Sequence, residues 1–379
     1  MIYLIPLFLI VIGYIFFDRI GRNKKSKVLW GMIYVTLVTI IGLRYKVGGD
    51  TYNYMNYFNW VSDLQDWEPF DISGFEPGFS FITSAIKTYF DDIYVYQTII
   101  SALMTFMLMF FINQNTQYKF LSMLFIFVAM YLYFSTEVIR ESLAIGGLLM
   151  AYPLLRDQKY LSYYAVCFIL LSLHFSSAVC FLLPLFHRLK FNKRFGLYIL
   201  GFIVFGLISA SIMKQLGDFF IFQKLLLYYQ QTYVGYAWCG FRFIYFSLLP
   251  FLTLYLCKRV FHLKIKFENI ICLQILFGIG IWFVPIVFQR LINYTIIFYL
   301  VALADIIGTV TRDPSYRRRL SIPARRGRAK IAKILLVLTI LAHSSYYIHL
   351  DFYELYIPYH SMFDPIDEPM REKYVAGQD

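Results

Sequence analysis

Charged residues are scarce in this sequence. Only 15% of its 379 residues are charged, 59% are hydrophobic, and the mean hydropathy is +0.60. A water-soluble domain of this length needs more polar surface, which excludes the soluble globular class. Cysteine is scarce as well. The five cysteines have no metal or redox spacing, so we expect small packing residues and predict neither a metal nor a cofactor.

Long runs without charge fill most of the chain. A helix crosses the hydrocarbon core with about 20 apolar residues, whereas a membrane β-barrel would show short alternating segments, which this sequence lacks. The sequence therefore predicts an all-α fold, a polytopic transmembrane helical bundle with about 12 spans. The predicted spans lie near residues 2–17, 28–43, 93–112, 120–136, 138–155, 160–173, 174–186, 195–213, 243–257, 269–289, 291–307 and 331–347. An alternative is one long helix over 160–186, which would remove a span and invert all later ones.

Basic residues are distributed unevenly between the loops. If the cluster between Arg19 and Lys27 faces the cytoplasm, alternation of the spans places 25 of the 35 Lys and Arg residues on that side. This asymmetry obeys the positive-inside rule and predicts that both termini lie outside. We expect a single integral membrane domain over residues 1–379, with extracytoplasmic loops at 44–92 and 214–242, a basic cytoplasmic loop at 308–333 and an extracytoplasmic tail at 348–379.

The net charge of +12 does not require a nucleic acid partner. The run Arg317-Arg318-Arg319 imitates a nucleic-acid patch, but it lies in the loop that the charge pattern places in the cytoplasm. There it would face the anionic lipid of the membrane. We therefore predict membrane lipid as a partner and no nucleic acid.

Titratable side chains gather at the outer ends of the predicted spans. They are Arg44, Asp50, Arg140, His174 and Arg290. Such groups are costly near a bilayer, so their placement at one depth on one side indicates a functional site. Arginine matches phosphate oxygens with its planar fork, and Asp50, Glu141 or His174 can accept a proton. The alternatives are arginines that anchor the protein, an ion pair between Glu137 and Arg140, and a His174 bonded to a backbone carbonyl.

Aromatic residues are frequent in the segment that follows Asp50. On a helix, Asp50, Tyr54 and Phe58 share one face because they are spaced by four. This face is either part of an interfacial aromatic belt or a platform on which sugar rings stack. The mixed-polarity stretch 219–241 allows the same two interpretations, as a segment that lies along the membrane surface.

Several short motifs follow one another from about residue 40 to 360. They are Leu43-Arg44-Tyr45 with Gly49-Asp50 and Tyr54, Glu76-Pro77-Gly78-Phe79, Arg140 with Leu143 and Ala144, His174 with Ser176, Ser177 and Ala178, Arg290 near Tyr294, and Tyr356-Ile357-Pro358-Tyr359. In this order and spacing the chain resembles the EpsG-like branch of the Wzy-type polysaccharide polymerases. Glu137 and Glu141 depart from the pattern, which has amides beside the arginine, and residues 312–333 look like an insertion.

The resemblance implies a metal-independent glycosyltransferase of the class C type. It would transfer a growing glycan from undecaprenyl diphosphate onto the next lipid-linked repeat unit, at the outer face of the bacterial cytoplasmic membrane. The product would be an O-antigen, capsule or exopolysaccharide. Implied partners are the undecaprenyl-diphosphate-linked oligosaccharide and the chain-length regulator and flippase of the same pathway. We assign catalysis to Asp50, His174 and Arg140, and binding of diphosphate or substrate to Arg44, Arg290, Tyr54 and Glu141.

Two other functions fit a chain with this many spans. A flippase for lipid-linked oligosaccharides would place Lys or Arg in the middle of several spans, but the span centres are nearly bare apart from Asp305. A membrane O-acyltransferase would need a His–acid or arginine pair near the first spans, and these spans carry neither. The sequence therefore favours the polymerase.

Overall fold

The computed structural model describes residues 2–20, 24–69, 74–215, 236–348, 352–369 and 371. Within these residues the secondary structure is helical, and strand-like pairing is limited to isolated bridges between Arg44 and Ser361 and between Ser361 and Asp364. The predicted all-helical class is confirmed. Backbone contacts divide the chain into two compact units, Met1–Phe181 with Ile340–Asp379, and Leu182–Thr339. That residues 1–379 act as one integral membrane domain stays a prediction.

The helices of the first unit pack both on their sequence neighbours and on helices farther along the chain. Helix α1 packs on α2 and α6, α2 on α5, α5 on α8, and α9 on both α4 and α8. Two of its helix starts have a clear local cause. The Asp92 carboxylate accepts from two backbone N–H groups of α5, and Pro77 is the first residue of α4. The helices are α1 Leu4–Ile20, α2 Lys24–Gly42, α3 Thr51–Trp60, α4 Pro77–Phe90, α5 Ile93–Asn115, α6 Lys119–Ile126, α7 Leu132–Thr136, α8 Ile139–Arg156 and α9 Tyr160–Leu173, with a π-helical turn at Phe127–Tyr131 and a 3-10 turn at Leu64–Asp66.

A 3-10 helix, Phe175–Phe186, leads from the first unit into the second, and α16 leads back. The centre of the second unit is the long helix α14, which is buried almost throughout and packs against α13. The helices are α10 Phe195–Gln215, α11 Tyr236–Phe243, α12 Leu249–Leu256, α13 Glu268–Gly280, α14 Pro285–Arg312, α15 Pro314–Arg318, α16 Ile322–Ile348 and, in the first unit, α17 Phe352–Tyr356, with π-helical turns at Ile244–Leu248 and Cys257–Phe261.

A helical segment coincides with each predicted span. By length and composition, four segments are long and apolar enough to cross a membrane: Ile93–Asn115, Lys119–Thr136, Ala237–Phe261 and Pro285–Arg312. Helix α10 exposes large apolar side chains such as Leu197 and Phe205, which favours contact with lipid over contact with water. The chain is therefore a helical membrane protein. The count of twelve spans and the side on which the termini lie stay predictions.

Element boundaries differ from the predicted ones in two places, near residues 281–290 and in the loop 44–92, and agree with them near His174. The span predicted at 269–289 ends at Gly280, because Pro285 begins the next helix, so Arg290 lies inside α14 and not between two spans. The stretch 160–186 is broken at His174, whose backbone is extended, in agreement with the predicted division into 160–173 and 174–186, and the alternative of one continuous helix is wrong. The predicted loop 44–92 contains α3 and α4. Residues 216–235, which make up most of the predicted loop 214–242 and of the stretch 219–241, lie outside the described residues, as do residues 349–351, 370 and 372–379 of the predicted tail.

Candidate functional site

Three helix ends of the first unit bring a polar cluster together. Glu76 precedes α4, Arg140 lies in the first turn of α8, and His174 follows α9. The close approach of α4 to α9 depends on Gly78, where a Cβ atom would lie 2.3 Å from Ser172 Oγ and 2.9 Å from the Ser172 carbonyl oxygen. Glu76 lies two residues before this contact and His174 two residues after it. The packing of α4 on α9 therefore places the two side chains side by side.

The Glu76 carboxylate is the hub of this cluster. Its Oε1 lies 2.8 Å from His174 Nδ1 and accepts the backbone N–H of Phe175 at 3.0 Å. Its Oε2 accepts from Arg140 Nη1 at 2.5 Å. As the cap residue of α4, Glu76 makes no side-chain capping bond, so its carboxylate is available for these three partners. Among the described contacts, Arg140 pairs with Glu76 and not with Glu137.

The Glu76 carboxyl is ionised at any physiological pH. Burial opposes ionisation, but the hydrogen bond from His174, the positive charge of Arg140 and the Phe175 N–H together lower the pKa of Glu76 from 4.5 to about 2. An ionised carboxylate only accepts hydrogen bonds, so the ring proton of His174 lies on Nδ1. In the neutral form of the ring, Nε2 carries the lone pair that can accept a proton.

His174 is buried, with 6% of its surface exposed, and its Nε2 faces a second acid. The Nε2 atom lies 4.0 Å from Glu141 Oε2, and Glu141 is itself buried. Glu141 lies in the first turn of α8, so the same helix that carries Arg140 supplies this carboxylate. The structure thus brings together three of the predicted site residues, Arg140, His174 and Glu141.

Tyr54 connects the cluster to the start of α3. Its hydroxyl donates to the Glu137 carbonyl oxygen at 3.2 Å and accepts a hydrogen bond from the Arg140 side chain. Burial raises the pKa of Tyr54 to about 12, so the hydroxyl keeps its proton. The Arg140 guanidinium also lies over the ring of Phe75, 4.3 Å from its centroid. Tyr54 and Phe75 therefore fix the arginine from two sides.

Asp50 and Glu137 form a second acidic group beside Tyr54. Asp50 precedes α3, and Asn53 Nδ2 donates to its Oδ1 at 3.4 Å. Glu137 is buried between α7 and α8 and accepts the hydroxyl of Tyr356 and the backbone N–H of Gly49. Burial raises the pKa of Glu137 to about 8, against the opposing bond from Tyr356, and the charge of Asp50 adds to the rise. Glu137 therefore holds its proton to a higher pH than an ordinary carboxyl does.

Arg44 is only 1% exposed and is held by backbone carbonyls. Its Nη1 donates to the Ile41 oxygen at 2.6 Å and its Nε to the Val47 oxygen at 3.2 Å. These bonds wrap the loop after α2 around the guanidinium. The placement favours a role in shaping the loop before Asp50, and a direct contact between Arg44 and diphosphate stays a prediction.

Arg290 belongs to the second unit, in the second turn of α14. Its part in the same site as Arg140 and His174 stays a prediction. The adjacent residue, Gln289, accepts a hydrogen bond from the buried Arg242, whose guanidinium lies 3.6 Å from the ring centroid of Trp238. Sequence reasoning gave no role to Arg242.

Sequence reasoning also missed Glu76, Glu137 and Tyr356 as site residues. Glu76 stands in the quoted Glu-Pro-Gly-Phe motif, directly before a proline that can begin a helix, and that position is the signal that could have marked it. Glu137 was considered only as an ion-pair partner. Tyr356 is separated from Glu137 by 219 residues, so no local pattern reveals their contact.

Comparisons with known proteins give one clear match. The EpsG family model matches residues 27–361, which contain all seven residues assigned from the sequence to catalysis or binding. No curated protein and no solved structure matches the chain. Because the matched region covers most of the sequence, the chain belongs to the EpsG family and is a membrane protein of polysaccharide biosynthesis.

Proposed function

We propose that this protein is a glycosyltransferase that polymerises lipid-linked repeat units. The growing glycan leaves undecaprenyl diphosphate and is joined to the next lipid-linked repeat at the outer face of the cytoplasmic membrane. The observation that carries the proposal is the Glu76–His174 pair, with Arg140 beside it, at one end of the first unit. Family membership supports the pathway, and the cluster supports the chemistry.

The Glu76–His174 pair has the arrangement of an oriented general base. A carboxylate bonded to Nδ1 fixes the tautomer and the ring, and it stabilises the imidazolium that forms when Nε2 takes a proton. An acceptor hydroxyl is a weak nucleophile, so base assistance is worth roughly 10²- to 10⁴-fold in rate. His174 is therefore our first candidate for the base, and Asp50 is the second.

The proposed reaction is a single displacement at the anomeric carbon of the growing chain. The acceptor oxygen forms the new bond to that carbon, and its proton passes to His174 Nε2. The bond from the carbon to the diphosphate oxygen breaks, and its electron pair leaves with undecaprenyl diphosphate. Charge develops on the diphosphate, which a nearby guanidinium stabilises. Arg140 takes this role in the proposal, because one of its nitrogens holds Glu76 while a quarter of its side chain is exposed.

The lipid-linked glycans of a deletion strain test the activity. We expect single repeats to persist and long chains to disappear. A flippase would instead leave its repeats trapped on the cytoplasmic face, and an acyltransferase would leave chain length unchanged. Either of these results would overturn the proposal.

Purified protein and lipid-linked repeat units test the base. His174→Gln should lower turnover roughly 10²- to 10⁴-fold, and Glu76→Gln should lower it less, because the imidazole remains but loses its orienting partner. His187→Gln is the matched control, since His187 belongs to the second unit and its Nδ1 is bonded to the Pro184 carbonyl oxygen. If Asp50→Asn abolishes turnover while His174→Gln does not, the base is Asp50.

A further inference from the structure

A segment far along the chain closes over the loop that precedes Asp50. We call residues 354–369 together with Arg371 the return segment. It pairs with the loop 43–48 through backbone bonds: Met362 N–H donates to the Leu43 oxygen at 3.0 Å, Tyr45 N–H to the His360 oxygen at 2.9 Å, and Gly48 N–H to the Leu355 oxygen at 3.0 Å. The loop conformation itself is unusual, since Lys46 and Gly48 have positive φ angles of 48° and 100°. The return segment supplies partners for a loop that has no regular structure of its own.

Side chains reinforce this pairing. Lys46 Nζ lies 2.5 Å from Asp367 Oδ1, which also accepts the Tyr45 hydroxyl at 3.1 Å. Arg371, only 2% exposed, donates to three carbonyl oxygens, those of Glu354, Lys46 and Pro358. A buried arginine that satisfies three carbonyls fixes the spacing of the chains that carry them. The return segment and the loop are therefore one rigid assembly.

The same segment reaches the acidic group of the site through Tyr356. The Tyr356 hydroxyl donates to Glu137 Oε1, and its own carbonyl oxygen accepts the Tyr3 hydroxyl at 3.2 Å. The other groups that face the Glu137 carboxyl are the backbone N–H of Gly49 and the carboxylate of Asp50. Tyr54, from α3, holds the Glu137 backbone. Tyr356 is thus a direct contact between the return segment and the carboxyl beside Asp50.

We propose that the return segment is a positioning element of the active site and that Tyr356 is its positioning residue, which holds the Glu137 carboxyl next to Asp50 and the start of α8. This inference rests on the proposed function and adds a part to it that neither the sequence motifs nor the family assignment gives a role.

The pH–rate profile distinguishes a segment that positions the site from one that only stabilises the fold. The bond from Tyr356 favours the ionised form of Glu137, so its loss raises the pKa of that carboxyl further. In Tyr356→Phe we expect turnover to fall about tenfold and the limb of the pH–rate profile that belongs to Glu137 to move upward by about one pH unit. In Glu137→Gln this limb should vanish.

Tyr359→Phe is the matched control. Tyr359 lies in the same segment and its hydroxyl donates to the Ile40 carbonyl oxygen at 2.8 Å, so the variant also loses one hydrogen bond but touches no carboxyl. We expect its pH–rate profile to keep the wild-type position. Arg371→Lys, which keeps the charge but loses the fork to the three carbonyls, should move the limb in the same direction as Tyr356→Phe. Equal profiles for Tyr356→Phe and Tyr359→Phe would overturn the inference.

A second measurement does not depend on activity. Glu137 has a folded pKa of about 8 against an ordinary value of 4.5, so the folded protein binds the extra proton and its stability falls as the pH rises from about 4.5 through about 8. In Tyr356→Phe the fall in melting temperature should extend to higher pH. If the wild-type protein polymerises nothing, the proposed function fails. An unchanged melting profile in Tyr356→Phe overturns the role of Tyr356 whatever the activity.

Discussion

Within the described cluster, the Glu76 carboxylate is the charged group with the most hydrogen-bond partners. Three donors from two parts of the chain meet on its two oxygens: the Arg140 guanidinium, and the His174 ring with the adjacent Phe175 amide. The first turn of α8 carries Arg140, and the end of α9 is followed by His174 and Phe175. Loss of the negative charge would remove the acceptor that Arg140 and His174 share, so Glu76 is both a structural and a chemical centre.

This charge predicts how stability depends on pH. The folded pKa of Glu76 is about 2 and its ordinary value is 4.5, so its stabilising effect is complete above about pH 4.5 and is lost as the pH falls toward 2. We expect Glu76→Gln to lower the melting temperature at pH 7 by several degrees. We also expect the melting temperature of this variant to depend less on pH in the acid range. Thermal unfolding in detergent between pH 7 and 3 measures both effects.

The control for this prediction is Glu68→Gln. Glu68 is an exposed acid in the same predicted loop, without an ion pair or hydrogen bond to the described residues, and its replacement should leave the melting curve unchanged. If Glu76→Gln melts like the wild-type protein at every pH, the carboxylate does not hold the cluster together.

At the residue scale, the sequence predicted which charged residues lie near helix ends but not which residues they contact. Apolar runs end where charge begins, so Arg140, His174 and Asp50 were correctly expected near helix ends. Their partners depend on tertiary contacts. Glu76 and His174, for example, are in contact although 98 residues of chain separate them. The carbonyl partners of Arg44 depend on the path of the following loop, which no residue pattern specifies.

At the scale of elements, one glycine decides how closely α4 and α9 approach. The nearest atoms to a Cβ at Gly78 include the Ser172 backbone oxygen, which cannot rotate away as the tip of a side chain can. We expect Gly78→Ala to push α4 outward and to separate Glu76 from His174, with loss of most polymerising activity while the protein still inserts. Turnover of lipid-linked repeats by purified protein measures the loss.

Gly31→Ala is the control for this change. Gly31 lies in α2, and no atom comes within 4 Å of a Cβ built there, so the exposed helix should tolerate or gain from alanine. Activity in Gly78→Ala equal to that of Gly31→Ala would show that the contact between α4 and α9 does not set the site.

Elements were predicted from the sequence better than their boundaries. Each long apolar run became a helix because the backbone must satisfy its own hydrogen bonds in lipid. The boundary at Pro285 was missed because the apolar run continues across Gly280 and hides the turn. The helices α3 and α4 were not predicted because their polar and aromatic residues lack a long apolar run.

At the scale of the whole molecule, the distribution of basic residues predicts sidedness. Reporter fusions after residues 27, 190, 262 and 325 should report the cytoplasm, and fusions after 70, 228 and 365 should report the outside. The positive-inside rule is the physical basis, because 25 of the 35 basic residues fall on one side. Cytoplasmic signals at both 70 and 228 would contradict this topology and would move the Glu76 cluster away from lipid-linked substrates on the outer face.

The pairing of the return segment with the loop 43–48 also has a consequence in time. Arg371 and its acceptor Lys46 are separated by 325 residues. A ribosome that adds about 5–20 residues per second needs roughly 15–65 s to travel that distance. Throughout this interval the loop, Asp50 and Glu137 already exist in the nascent protein but their late partners do not. The pairing of the loop and of Glu137 with the return segment is therefore completed only after residue 371 has been added, and a ribosome that stalls before residue 354 leaves an inserted but unfinished protein.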